Sequence, residues 1–258
     1  MSLFERLSAG EVHLYVTSDA QIDDTRLMAN YERLLSADER QRHARFHFAR
    51  DRRQFIITRA LMRCVLSLYQ PDVRPESWRF GYNAYGKPHI LNGVGEKLCF
   101  NLSHTQGRAV LAVAAGRRVG VDIEWCGKDV EMLELAEQFF SPGEAAMLRR
   151  ASDTQRRNLF FQLWTLKEAY LKGLGTGLSV PLGSFSFAFT GSELSQIAFE
   201  PRASGEQFGD WYVCCLESGE GYALSLAADG GKPRIRTFFG PPLAGFVERA
   251  CALKASCI

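Results

Sequence analysis

The sequence predicts an α+β protein of two similar lobes, each a small antiparallel sheet packed with a long helix. Three observations carry this reading: a weak internal repeat, apolar strand patterns joined by short turns, and one long helical run in each half. The repeat has an offset of about 105 to 112 residues. It opens at Val12 to Val16, whose strand pattern returns at Val119 to Ile123. Ser36-Ala37-Asp38-Glu39 then returns as Ser141-Pro142-Gly143-Glu144, and both have the S-x-x-E spacing that closes reciprocal hydrogen bonds at a helix start. Arg52-Arg53 introduces QFIITRALMRCVLSLY as Arg156-Arg157 introduces NLFFQLWTLKEAYLKGL, a helix that Gly173, Gly175 and Gly177 are expected to end. RAVLAVAAG (108–116) resembles GYALSLAADG (221–230). Turns at Asn83-Ala84-Tyr85-Gly86 and Glu217-Ser218-Gly219-Glu220 join later strands as hairpins, which favours antiparallel sheets.

A boundary at Ala115-Gly116-Arg117-Arg118 gives an N-terminal lobe of residues 1–117 and a C-terminal lobe of 118–240, both of ordinary domain size. The cleft between two such lobes is the expected ligand site. Gly240-Pro241-Pro242 breaks the pattern, so 241–258 reads as an appendage.

With 258 residues and 46% hydrophobic content the chain can bury a sizeable core, which excludes disorder of the whole. No apolar run approaches the roughly 18 to 20 residues that cross a bilayer, and MSLFERLSAG lacks a signal-peptide pattern, so a cytoplasmic protein without a membrane partner is expected. Seven cysteines, odd in number and without a CxxC pair, argue for reduced thiols over zinc or a disulfide framework. Net charge is +2, yet Arg26, Arg33, Arg40, Arg42, Arg45, Arg50, Arg52, Arg53, Arg59 and Arg63 crowd into one stretch. That excess reads either as a surface for phosphate or an acidic partner, or as a solvated helix face. Near-neutral total charge and the lack of an interleaved aromatic platform argue against a nucleic-acid partner.

The chemistry concentrates in two segments. In VGVDIEW, Asp122 and Glu124 are two apart in a β-branched run, so a strand sends both carboxylates to one face. Two hard oxygen donors without His or Cys suit magnesium; a solvated face of an edge strand explains them as well. In FFQLWTLKEAYLKGLGTGL, Glu168 and Lys172 are four apart on a helix and share a face, beside Trp164 and Leu171. The GLGTG run closes a helix and is therefore no phosphate loop. In the first half, Gly86-Lys87-Pro88 sets a lysine in a turn, and FNLSHT carries Ser103 and His104. With no acid placed to orient His104, a hydrolytic triad is rejected.

Taken in order, Gly86-Lys87-Pro88, Phe100-Asn101-Leu102-Ser103-His104, Gly120-Val121-Asp122-Ile123-Glu124 and Trp164-Thr165-Leu166-Lys167-Glu168-Ala169 with Lys172 resemble the Sfp-type 4'-phosphopantetheinyl transferases. Weaker likeness in ARFHFARDRRQF and GLSVPLGSFSF extends the resemblance from about residue 36 to 190. It implies two similar α+β lobes as a pseudo-dimer, and a magnesium-dependent transfer of the phosphopantetheine arm of coenzyme A to a serine of an apo acyl- or peptidyl-carrier protein. The implied magnesium ligands are Asp122, Glu124 and Glu168. The implied coenzyme A contacts are Lys87, Ser103, His104, Lys172 and, for the 3'-phosphate, Arg42. Where relatives carry a basic residue before the Gly-Lys-Pro turn this chain has Tyr82 and Asn83, so that contact is lost or supplied by a neighbour such as Arg53. Glu168, directly or through a metal-bound water, is the candidate base, and Lys172 the group at the leaving phosphate. Glu144 matches a further acid considered as a base, although its capping box accounts for it equally. A monomer is expected, and the alternative is a non-catalytic module that binds coenzyme A or a carrier protein.

Overall fold

The structure, a computed structural model, describes residues 7–93, 98–190, 195–201 and 210–257. In chain order its elements are β1 (Glu11–Ser18), α1 (Thr25–Arg33), α2 (Ala37–Ala44), α3 (Ala49–Tyr69), β2 (Phe80–Tyr82), β3 (Pro88–Ile90), β4 (Leu98–Thr105), β5 (Arg108–Ala115) and β6 (Val119–Trp125). They continue with α4 (Met132–Phe139), α5 (Pro142–Arg150), α6 (Asp153–Leu174), β7 (Phe185–Thr190), β8 (Gln196–Pro201), β9 (Trp211–Leu216), β10 (Tyr222–Asp229), β11 (Arg234–Phe239), β12 (Val247–Glu248) and β13 (Leu253–Cys257). The described parts of 1–83, 88–116 and 234–250 form one compact unit, and those of 84–87, 117–233 and 251–258 form the other. Among the described residues no helix is long and apolar enough to cross a membrane.

The α+β expectation of two similar lobes holds. The first unit has a sheet of order β12-β11-β1-β5-β4, and the second has one of order β6-β10-β9-β13-β8-β7. Most neighbours are antiparallel, as the hairpin turns predicted, but β1 pairs β11 in parallel and β13 pairs β8 in parallel. Strands beyond residue 230 cause both exceptions: β11 and β12 extend the first sheet, while β13 enters the second between β9 and β8. Each sheet lays a long helix across one face. Leu61, Met62, Val65 and Leu66 of α3 meet Tyr15, Phe100, Leu111 and Val113, whereas Phe160, Leu163, Leu166 and Tyr170 of α6 meet Phe185, Phe187, Val213 and Cys215. Fully burying one such side chain contributes about 1.5–3 kcal/mol, so the two cores dominate the stability of the fold.

The repeat is visible at the level of single hydrogen bonds. Both S-x-x-E tetrads form complete capping boxes, Ser36 with Glu39 on α2 and Ser141 with Glu144 on α5. The capping glutamate in each case also accepts a buried base from the long helix: Arg63 of α3 lies 2.7 Å from Glu39, and Lys167 of α6 lies 2.9 Å from Glu144. The doubled arginines repeat as well. Arg52 donates to Phe46 O just past α2, and Arg156 to Leu148 O and Ala151 O at the end of α5. Arg53 donates to Ile22 O in the segment after β1, and Arg157 to Cys126 O and Lys128 O after β6. Several members of the arginine-rich stretch are thus structural, since Arg63 is 1% exposed and also donates to Pro75 O and Trp78 O.

The end of α6 differs in one detail from the sequence expectation. Gly175 stops the helix in the left-handed region (φ 77°) and donates to Leu171 O, but Gly173 lies inside it. Its missing side chain has a packing reason: a Cβ there would come 2.6 Å from the Trp211 ring.

Candidate active site

In the second unit β6 and α6 place four ionisable groups of the predicted site side by side. Gly120, Asp122 and Glu124 alternate on one face of β6, where a Cβ on Gly120 would lie 1.9 Å from Ala169 O and 2.3 Å from Gly173 N. The strand and helix backbones therefore meet at Gly120, which directs Asp122 and Glu124 toward α6. Asp122 is 4% exposed, and its Oδ1 lies 2.6 Å from Lys172 Nζ. Glu124 pairs with Lys128 beyond the strand end, a residue the motif reading had not singled out.

Glu168, partly buried on the same helix, responds to this company. Burial raises its carboxyl pKa first, the negative charge of Asp122 raises it next, Lys172 opposes and Glu124 adds a further upward push. Asp122 and Glu124 thus disfavour the charged form of Glu168, and a cation would relieve that repulsion. Among the described residues no three His, Cys, Asp or Glu side chains are already arranged around a single ion position. The physical reason is at hand: the ammonium groups of Lys172 and Lys128 hold Asp122 and Glu124. The three carboxylates fit a hard cation in the chemistry of their oxygen donors, with two cationic side chains standing beside them.

Lys87 also belongs to the second unit, and its Nζ donates to Gly173 O at 2.9 Å and to Val119 O at 3.4 Å. It thereby engages one of the last carbonyls of α6, where a positive charge complements the helix dipole.

The remaining predicted residues lie in the first unit. Ser103 and His104 are consecutive on β4 opposite Val110 and Ala109, with Ser103 buried and His104 exposed. Arg42, in the last turn of α2, is exposed, stands 5.9 Å from the Phe55 ring and lines a surface pocket of about 520 Å³ with Asp38, Gln41, Arg45 and Phe46. Arg53 is committed within the fold, with its Nε 2.5 Å from Asp19 Oδ1, so a phosphate at this position would compete with Asp19. Glu144 is 1% exposed, and its carboxylate accepts from Ser141 N, Phe187 N and Lys167 Nζ.

Both halves of the chain match known proteins in sequence. The model of the 4'-phosphopantetheinyl transferase superfamily matches residues 118–227, and that of the 4'-phosphopantetheinyl transferase N-terminal region matches 25–116. The chain is 36% identical over 199 residues to the 4'-phosphopantetheinyl transferase HetI of Nostoc sp., covering 77% of this chain and 82% of that protein. It is 32% identical over 195 residues to the 4'-phosphopantetheinyl transferase Sfp of Bacillus subtilis, covering 75% and 82%. It is also 32% identical over 179 residues to an L-aminoadipate-semialdehyde dehydrogenase-phosphopantetheinyl transferase of Xenopus laevis, covering 67% and 57%.

Proposed function

This chain belongs to the 4'-phosphopantetheinyl transferases, of the Sfp type, and on that premise we propose that it moves the phosphopantetheine arm of coenzyme A onto a serine hydroxyl of an apo carrier protein, releasing 3',5'-ADP. The observation that carries the reading is the Asp122, Glu124, Glu168 and Lys172 cluster on β6 and α6.

In this reading Asp122, Glu124 and Glu168 hold a magnesium ion, which when bound neutralises charge on the coenzyme A pyrophosphate. Glu168 accepts the proton of the carrier serine, directly or through a bound water. A bond forms between the serine oxygen and the phosphorus next to the pantetheine. The phosphoanhydride bond breaks, and its electron pair leaves with 3',5'-ADP. Lys172 places positive charge where that leaving group develops, Arg42, Lys87 and His104 hold the nucleotide phosphates, and Ser103 is a further coenzyme A contact.

The carrier is an acidic helical protein in this reading. We place the receiving surface on the segment from Lys128 to Phe140, between β6 and α5, which sets Asp129, Glu131, Glu134 and Glu137 against Lys128. Its contribution is therefore apolar, through half-buried Met132, Leu133 and Leu135 and exposed Phe139. A monomer acting in the cytoplasm remains the expectation.

Mass spectrometry of an apo carrier protein incubated with the chain, coenzyme A and magnesium tests the proposal. Gain of one phosphopantetheine, abolished by a chelator, is the expected result. Coenzyme A binding without transfer to any of several apo carriers would overturn it.

A further inference from the structure

We propose that Thr165 and Ser225 form a buried hydroxyl pin that positions Glu168 over Asp122 and so sets the affinity of the acid cluster for its divalent cation; the inference deepens the transferase reading and rests on it. Thr165 of α6 and Ser225 of β10 are both 0% exposed, and their hydroxyl oxygens lie 2.8 Å apart. The direction of the bond follows from valence. Thr165 Oγ1 is 2.8 Å from Phe161 O and 3.1 Å from Gln162 O, and a carbonyl can only accept. The single Thr165 proton is committed to its own helix, so Ser225 donates to Thr165. Ser225 Oγ in turn stands 3.6 Å from Cys215 Sγ, whose thiol proton it can accept. Each hydroxyl is satisfied, and α6 is tied through β10 to β9.

The location gives the pin its consequence. Ser225 is the cross-strand partner of Asp122 in the β10–β6 ladder, and Thr165 precedes Glu168 by three positions on α6. On the far side of Glu168, Ala169 and Gly173 close on Gly120 with no room for a Cβ. Two contacts therefore bracket Glu168 along the helix, one polar and one steric. A helix shifted by one residue turns its side chains by about 100°, which would carry Glu168 away from Asp122. The glycine contact limits how near the backbones come, while the pin is directional and resists rotation. Groups that orient the ligands of a metal without touching it typically change metal affinity or activity by about 10- to 100-fold when removed.

The full chain and its Thr165→Val, Thr165→Ser and Ser225→Ala variants test this through Mn²⁺ binding by electron paramagnetic resonance, the magnesium dependence of transfer, and thermal melting without metal. Thr165→Val is expected to weaken Mn²⁺ binding about tenfold or more and to raise the half-saturating magnesium in parallel, with the KM for coenzyme A within about twofold. Thr165→Ser, which keeps the hydroxyl, restores both values. Mn²⁺ affinity within twofold of wild type in Thr165→Val, equal loss in the Thr165→Ser variant, or a wild-type chain that binds no Mn²⁺ each overturns the pin. If Thr165→Val does not fold, Ser225→Ala carries the same two outcomes. A wild type that modifies no carrier, with variants that still lose Mn²⁺, overturns the transferase reading and supports the pin.

Discussion

Lys167 Nζ and Glu144 Oε2 lie 2.9 Å apart with neither side chain more than 1% exposed, and the ammonium also donates to Leu182 O and Phe185 O at 2.8 Å each. Three acceptors satisfy the three protons of Lys167, and three donors hold Glu144. A carboxylate buried this deeply is closed to an incoming hydroxyl. The pair instead joins α5 to α6 one residue before Glu168, as Glu39 and Arg63 join α2 to α3.

Breaking that pair should cost stability before it costs chemistry. Lys167→Met leaves a buried carboxylate uncompensated, and about 3–5 kcal/mol of unfolding free energy is expected to be lost. Glu144→Gln should be milder and, per folded molecule, should turn over within a few-fold of wild type. Urea denaturation and active-site-normalised rates check both, and a hundredfold loss of turnover in a stable Glu144→Gln protein would return Glu144 to the candidates for base.

Asp122→Asn and Glu168→Gln preserve shape and remove charge. Each is expected to melt near the wild-type temperature and to lose about a hundredfold or more in kcat/KM, if electrostatic stabilisation dominates. Transfer assays over a magnesium series decide this; near wild-type turnover in either variant contradicts the site.

Gly120→Ala tests the closest approach of strand and helix. The added methyl would sit 1.9 Å from Ala169 O, a backbone atom that cannot swing aside. Overpacking of this kind costs about 3 kcal/mol or more, and the Asp122 to Glu168 geometry should be lost with it. Calorimetry together with Mn²⁺ binding reads both effects; an unperturbed melting temperature would refute the close packing.

The first unit carries a pH dependence of its own. His13 is fully buried on β1, with Nδ1 2.6 Å from Tyr69 Oη, and burial first and Arg236 second lower its pKa from 6.5 to about 4, against the upward pull of Glu11 and Glu248. Between those values the unfolded chain binds a proton that the folded chain refuses. Stability therefore falls as pH drops from 6.5 toward 4, by on the order of 1 kcal/mol per pH unit. Denaturation midpoints across that window should show the slope in wild type and a flatter one in His13→Gln.

The repeat, both capping boxes and the acidic strand were legible because each rests on local spacing, whether alternation on β6 or three residues between Ser and Glu. Arg63, Lys167 and Arg53 were harder, since a charged residue in a helical run reads as solvated unless its partner is known. Those partners lie 24, 23 and 34 positions away. Lys87 was placed at coenzyme A by the resemblance alone, and its bond to the carbonyl of Gly173 had no signal in the sequence. By the sequence reading Arg234–Phe239 falls in the C-terminal lobe of 118–240, whereas it belongs to the first unit, and its parallel pairing with β1 had no signal in the sequence.

That pairing has a consequence for biosynthesis. β1 is among the first strands to leave the ribosome, yet β11 becomes available only after the whole second sheet apart from β13 has been translated. Until then one side of β1 presents unpaired backbone groups, the kind of edge that recruits foreign strands. A nascent chain released early, or a fragment cut near residue 117, would retain that adhesive flank, so a proofread product requires synthesis to run past Phe239.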